Sequence, residues 1–557
     1  MAIKPRKRKQ RHSKEKTDSQ KAIKKFRKNS NRHVIVVEIV SALNVIYSIF
    51  HLSEMLRRAG NDLAAVMLKR YNQLIRTREY RWLKKLYAEA IKAESEIARE
   101  VIANKMQELQ KEYNVTQDYC TEAMITIRKR YKLPSTFAST RADDIWHGVE
   151  RCLYGNGETI HFKKHGDYPS IRAEQINRGL PLHRLKDGKM IIKYDGNTLF
   201  VKEPKKNDYF LKEELEEISG YLDWSEIIDW IAAENHANDK SKYDTFRPCY
   251  VTLVPQIIRG KYRVFAHITV EGMALPKRDK SGKKPRHTYG SGTVGCDIGT
   301  QTIAYTSETE VGLKNLSERG MSIKNRERKE RILYRAMDRS RRANNPQNYN
   351  PDGTIKKGKK TWHNSNHYLE LRREHSEMSR ICAINRKLAC NEDVNHLRSL
   401  GDVFITEPKN ADKLARRAKK TTKNKKGKFN RKKRFGKSIQ NRCPGYFQQQ
   451  AKSKFESTGG AYFEVPYNYR ASQYDHTNDT YVKKKLSQRM FDLSDGTTVQ
   501  RDWYSSYLLY CYNYTQSCID IDKCKNQFKE ALGKEIEVIA KIIKNRIHVF
   551  NSGIKIS

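Results

Sequence analysis

Twice in this chain a short apolar strand runs straight into an acid. Thr293, Val294, Gly295 and Cys296 lead to Asp297, and Val403, Phe404, Ile405 and Thr406 lead to Glu407. A carboxylate at the end of a buried strand costs several kcal/mol to strip of water unless a cation meets it there. The stretch "TVGCDIGTQTIAY" passes through Gly299 into a second apolar run, so it reads as a β-hairpin with Asp297 near its tip. A third acid, Asp502 in "VQRDWYSSYLLY", opens a helix whose apolar face is Trp503, Tyr507 and Leu508. There a carboxylate has an ordinary use as a helix cap. If the three acids converge, the partner that suits them is Mg²⁺, a hard ion that takes oxygen ligands. Three carboxylates from separate segments could hold two such ions about 4 Å apart, which activates water and steadies the leaving oxygen in phosphodiester hydrolysis.

Charge points the same way. Lys and Arg number 110 against 64 Asp and Glu, a net +46. Self-repulsion on that scale is relieved by a polyanion, and 10% aromatic residues leave room for base stacking. Nucleic acid is the expected partner, although a ribosomal-type structural RNA binder would show the same balance. The most apolar stretch, "HVIVVEIVSALNVIYSIF", contains Glu38 and Asn44 and reads as neither a membrane span nor a signal peptide. Ten cysteines at irregular spacings fit a reducing interior. The expectation is a soluble protein of a prokaryotic cytoplasm, associated with the nucleoid, with no membrane partner, as a monomer or homodimer.

A length of 557 residues suggests roughly three or four domains. Residues 1–33 form a basic tail, almost without apolar side chains, that should be disordered until it meets phosphate. Residues 34–51 read as a strand leading into a helix. Residues 52–139 carry Leu63, Met67, Tyr71 and Leu74, then Ile97 and Val101, at helical spacing, which predicts a helical lobe. Residues 140–290 change to short strands, with a DG turn in "KMIIKYDGNTLFVKEP" and an RG turn in "YVTLVPQIIRGKYRVFAHITVEG", and predict a small β-barrel. Residues 291–470 mix strands with long basic helices and hold the first two acids. Residues 471–500 precede the third acid, and residues 501–557 read as C-terminal helices, so the fold class is multidomain α+β.

The order of "GCDIGTQTIAY", "VFITEPKN" and "QRDWYSSYL" resembles the split RuvC nuclease domain of the TnpB and type V CRISPR effector proteins. "ADDIWHGVERCLYGNGETIHFKKHGDYPSIR" is similar to that family's segment entering its wedge barrel, and "SIQNRCPGYFQQQAKSKFESTGGAYFEVP" to its helix before the fourth RuvC strand. The resemblance implies an RNase H-like (RuvC) nuclease domain split in sequence, a wedge β-barrel (34–51 and 140–290) and a helical recognition lobe (52–139). It implies an RNA-guided DNA endonuclease whose partners are a guide RNA and double-stranded target DNA. Asp297 would bridge two Mg²⁺ ions, with Glu407 and Asp502 each holding one. Lys163 and Lys164, the basic run with Lys419, Lys420, Arg431, Lys432 and Lys433, and Arg501 are the candidate phosphate contacts.

The chain departs from the family pattern in two places. Many members carry two CxxC pairs, forming a zinc ribbon, before the last acid. Here residues 471–500 contain no cysteine and only His476, so a ribbon-like insert without zinc is expected. Cys511, Cys518 and Cys524 read as ordinary helix residues, as do Cys382 and Cys390, and Cys296 reads as a buried strand residue. "EPKN" stands where the family often has Glu-Asp-Leu; Pro408 ends the strand and leaves a single carboxylate. Two other functions compete. One is a guided binder or transposition accessory factor that does not cut. The other is a sugar kinase or actin-like ATPase, because "DIGTQT" resembles a phosphate loop of that class. The latter needs a second Asp-x-Gly loop, and "LSDGTT", the one candidate, follows no clear strand in the sequence.

Overall fold

A computed structural model describes residues 32–557 apart from 156, 158, 174–178, 236–245, 319–322, 416–420, 425, 426, 428, 430–434, 468, 484–487 and 557. The described part of the chain falls within two units, Met1–Lys284 and Pro285–Ser557. In the first, the strand period of two is plain in β1 (Arg32–Val40): Ile35, Val37 and Ile39 point into the core while Val34, Val36 and Val40 are exposed. The helical period takes over in α1 (Leu43–Arg76), which buries Ile49, Leu56, Leu63, Met67, Tyr71 and Leu74 along one stripe. Helices α2 (Arg78–Lys92), α3 (Glu96–Glu112) and α4 (Gln117–Arg130) each begin behind a hydroxyl. Thr77, Ser95 and Thr116 accept a backbone N–H from the first turn. Helix α5 (Ser135–Leu153) carries the helical stretch past the boundary expected at residue 139.

Strands β2 (Ile171–Arg172), β3 (Leu182–Arg184), β4 (Met190–Tyr194) and β5 (Asn197–Val201) follow, then the unanticipated helix α6 (Tyr209–Asn235), then β6 (Pro248–Ile258) and β7 (Lys261–Glu271). Both predicted tight turns form. Asp195-Gly196 and Arg259-Gly260 have positive φ at both positions, 45° and 74°, and 50° and 77°, the pairing a two-residue hairpin needs. The strands make one sheet in the order β2-β6-β7-β1-β5-β4-β3. Among the described residues its edges, β2 and β3, are not paired to each other. The small barrel expected from the sequence is met in part, as a curled half-barrel sheet with β1 at its centre, paired to β7 on one side and β5 on the other.

The second unit is built on β8 (Thr293–Ile298), β9 (Thr302–Thr306) and β10 (Val311–Asn315), then the basic helices α7 (Ile323–Ala343) and α8 (Asn366–Leu400). Strand β11 (Val403–Thr406), the short helices α9 (Ala411–Ala415) and α10 (Gly436–Arg442), helix α11 (Pro444–Ser457) and strand β12 (Ala461–Glu464) come next. The sheet order is β10-β9-β8-β11-β12, antiparallel across its first three strands and parallel from β8 to β12. Two ribbons follow, β13 (Tyr474–Asp475) with β14 (Thr480–Tyr481) and β15 (Met490–Asp492) with β16 (Thr498–Gln500). "LSDGTT" is thus the turn of the β15–β16 hairpin and does follow a strand, though one of only three residues.

Helix α12 (Arg501–Tyr510) comes next. The C-terminal region is not continuously helical: β17 (Tyr512–Asn513) and β18 (Cys518–Ile519) separate α12 from α13 (Ile521–Lys544). Val294, Cys296 and Phe404 face α8 and α11, meeting Cys390, Val394, Leu397 and Phe447. Ile405 faces the other way, into a cluster with Trp503, Tyr507, Leu508 and Phe528 of α12 and α13. Cys382 and Cys390 lie on α8 and Cys524 on α13, but Cys511 follows the end of α12 and Cys518 is an exposed strand residue. No described helix is long and apolar enough to cross a membrane.

Candidate active site

Strands β8 and β11 run parallel, with Thr406 in register with Cys296. The next residue along each strand is the acid, so Asp297 and Glu407 stand side by side, about 5 Å apart along the sheet and on the same face. The hydroxyl of Thr406 donates to the Cys296 carbonyl at 2.8 Å and ties the strands together one residue before both carboxylates.

Asp297 shares its face of β8 with Gly295 two residues earlier. A Cβ at Gly295 would fall on the backbone of Ser506 and Tyr510, so α12 lies directly against that face. Asp502, Ser506 and Tyr510 are spaced by four along α12 and form one stripe. The third acid is thereby carried onto the face that bears the other two. Thr306 and Ser506 share a hydrogen bond of 2.9 Å and hold the helix to β9. The helix itself is buried along its whole length from Trp503 to Tyr510, rather than on the single expected face, and Gln500 caps it in place of Asp502.

The carboxylates sense one another. Burial pushes the Glu407 carboxyl above its usual range, the charge of Asp297 pushes it further, and Lys409 and the Ala471 N–H oppose the shift. Burial, then Asp297, raises Asp502 to about 6, against the pull of Arg489 and Arg501. Lys409 donates from Nζ to Asp297 Oδ1 at 2.8 Å and also to the Ile298 carbonyl. Burial pulls the Lys409 ammonium down, but Asp297, with Glu407 and Asp502, more than offsets this, so it is held above its ordinary value. Arg489 Nη1 lies 3.5 Å from Asp502 Oδ1. Arg501 Nη1 is buried with no hydrogen-bond partner among the described residues, and its charge acts on Glu407 and Asp502.

The structure therefore brings Asp297, Glu407 and Asp502 into one cluster and sets Arg501 among them, where it faces carboxylates. Lys163 and Lys164 lie in the other unit. The Lys163 backbone is clamped by Asn61, which accepts its N–H at 2.9 Å and donates to its carbonyl at 2.8 Å, and Lys164 is exposed. Lys419, Lys420, Arg431, Lys432 and Lys433 lie outside the described residues. Sequence reasoning passed over Lys409, Arg489 and Gly295. Only Gly295 carried a local signal, since a glycine inside a strand marks a close backbone approach.

The three acids offer only oxygen, the donor a hard divalent cation prefers, and the charge of Asp297 raises the pKa of both Glu407 and Asp502. Among the described residues no group of three or more His, Cys, Asp or Glu is arranged to hold a metal ion, and the three acids are no exception.

No protein-family model matches the chain, and no curated protein matches it. Among solved structures it overlaps a selenomethionine-derived Cas12i1 R-loop complex before target DNA cleavage at 12% identity and TM-score 0.27, covering 89% of this chain and 65% of that one. A Cas12i1 R-loop complex after target DNA cleavage gives 10% identity and TM-score 0.26, with 90% and 64% covered. The chain thus spans just under two thirds of those proteins, and an overlap of this size carries no argument for fold or activity.

Proposed function

We propose that this protein is an RNA-guided DNA endonuclease whose RuvC-like site hydrolyses phosphodiester bonds. The observation that carries the reading is the convergence of Asp297, Glu407 and Asp502, from two parallel strands and a helix, on one face of a five-stranded mixed sheet. That arrangement is compatible with an RNase H-like core, and the motif order supports it. The net charge of +46 supports a polyanionic substrate and guide. Mg²⁺ held by the three carboxylates would activate water and stabilise the leaving oxygen.

The chain's own groups do the rest. The Thr406–Cys296 bond keeps the two strand acids in register. The Ala471 N–H faces Glu407, Arg489 steadies Asp502, and Lys409 fixes the Asp297 carboxylate. The buried helix α12 closes the site from behind with Trp503 and Tyr507. Removing water from such a site strengthens every charge interaction within it.

The test is to purify the protein from cells carrying its native flanking DNA and to sequence the RNA that accompanies it. The RNA–protein complex is then offered matching DNA. The expected result is one abundant RNA with a constant scaffold and a variable end, and cleavage that stops with a Mg²⁺ chelator. Cleavage should fall by at least about 10²-fold in Asp297→Asn, Glu407→Gln or Asp502→Asn, with RNA binding kept. Bulk ribosomal RNA, or cleavage that survives all three substitutions, would overturn the reading.

A further inference from the structure

The structure assigns a second binding site to the first unit: a cavity beside α5 that takes a single nucleotide, its phosphate against a cluster of cations and its base against Phe162. The inference stands apart from the nuclease reading, since every residue it uses lies in the first unit. The cavity is about 330 Å³. Ligand cavities run from roughly 300 to 1,000 Å³, so this one suits one nucleotide and not a duplex. Arg141, Gly148 and Arg151 reach it from α5, and His161, Phe162 and Lys163 from the segment that follows. That segment is fixed in place. Asn61 clamps the Lys163 backbone, and Arg57 donates to the same Lys163 carbonyl at 3.0 Å.

Three observations point to a ligand. Arg141 is 6% exposed, yet its Nε has no hydrogen-bond partner among the described residues. Its guanidinium lies against Gly60 of α1, where any Cβ would collide with it. Burial pulls it below its ordinary pKa, and Asp144 opposes the shift. Gly148 sits inside α5, where glycine costs stability relative to alanine. Packing does not require it, because a Cβ there would meet nothing within 4 Å; the missing side chain leaves open floor for a ring. Phe162 is half-exposed among cations, the setting in which a base stacks. The charges leave a positive surplus. Among the lining residues Arg141, Arg151 and Lys163 stand against one acid, Asp144, which Arg141 meets at 3.2 Å and Arg172 at 4.0 Å. The acids around the cavity are engaged elsewhere: Glu54 by Arg57 and Arg58, Asp62 by Arg130, Glu150 by His147, Asp143 by Gln117 and Asp167 by the Lys164 N–H. A phosphate answers the surplus, and Arg and Lys are the side chains that hold one.

A free nucleotide and one turned out of a bound strand offer the same phosphate and base, and the experiment separates them. The full-length, nucleic-acid-free protein is dialysed to equilibrium against labelled AMP or CMP, and against a 5′-phosphorylated ribotrinucleotide, at salt high enough to suppress general phosphate contacts. Saturable binding at one site per chain is expected for at least one probe. Gly148→Leu, which fills the open floor and is a better helix former, should weaken it at least about ten-fold, as should Phe162→Ala. The same loss for a tighter-binding trinucleotide makes the occupant part of a strand; binding of the mononucleotide alone makes it a free ligand. No saturable binding of any probe would overturn the inference, as would affinity unchanged in a folded Gly148→Leu. Displacement by inorganic phosphate at the concentration at which AMP displaces would also overturn it, since no base would then be recognised. If Gly148→Leu does not fold, Phe162→Ala decides alone, because its side chain supports no core.

Discussion

A methyl group at Gly295 would land on the backbone nitrogen of Tyr510 and the carbonyl oxygen of Ser506. Both belong to a buried helix backbone that cannot step aside without moving Asp502. Gly295→Ala should therefore destabilise the second unit by about 3 kcal/mol and reduce metal binding; urea unfolding of the full chain measures the first and Mn²⁺ titration the second. Glu535 poses a different residue-scale problem. It is 4% exposed, its one described hydrogen bond is from the Gln500 N–H at 3.0 Å, and burial lifts its pKa from 4.5 to about 8. A carboxyl whose folded pKa is raised holds its proton in the folded state over a range where the unfolded chain has lost it. Stability should thus fall as pH rises from about 4.5 to about 8 and level off above. Glu535→Gln keeps the acceptor without the charge. Its melting temperature should exceed that of the wild type at pH 8, by a stability gain on the order of 3 kcal/mol, and should fall less across that window.

At the scale of elements, the β16–α12 junction does most to place the third acid. Gln500 closes β16, accepts the Trp503 N–H at 2.7 Å, and donates to the Ser552 carbonyl at 3.2 Å. A Ser, Thr, Asn or Asp is the usual cap; a glutamine serves here because its longer reach also satisfies the C-terminal segment. Gln500→Ala would leave a buried N–H and a buried carbonyl unpaired. The expected loss is about 3 kcal/mol, read by chemical unfolding, and Asp502→Ala should cost less because it caps nothing. The parallel pairing of β8 and β11 is the other decisive element. A one-residue slip would turn Asp297 or Glu407 to the α8 face, among the apolar side chains of Cys390 and Val394.

For the whole molecule the net charge of +46 dominates. Binding to RNA should weaken by about 10³-fold or more between 50 and 200 mM salt, as expected for six or more phosphate contacts. A shallow slope in a filter-binding titration would mean that the basic residues are spent on internal acids. Some are: Lys409 and Arg489 face carboxylates, whereas Lys164 stands exposed. The two compact units divide this charge, and the carboxylate cluster belongs wholly to the second.

The hairpin around Asp297, the strand before Glu407, the helix opened by Asp502 and the tight turns at Asp195-Gly196 and Arg259-Gly260 were legible in the sequence. Each rests on contacts between near neighbours: alternation, turn chemistry and the first turn of a helix. The strand order of the seven-stranded sheet, the glutamine cap, the β17–β18 interruption and the ring of Lys409, Arg489 and Arg501 around the acids were not. These depend on residues brought together from far along the chain: 112 positions separate Lys409 from Asp297. Local patterning determined which residues could carry the chemistry. Which of them meet, and which cation stands among them, was decided by strand register and by the close approach of α12 at Gly295, because only packing fixes the distances on which charge interactions depend.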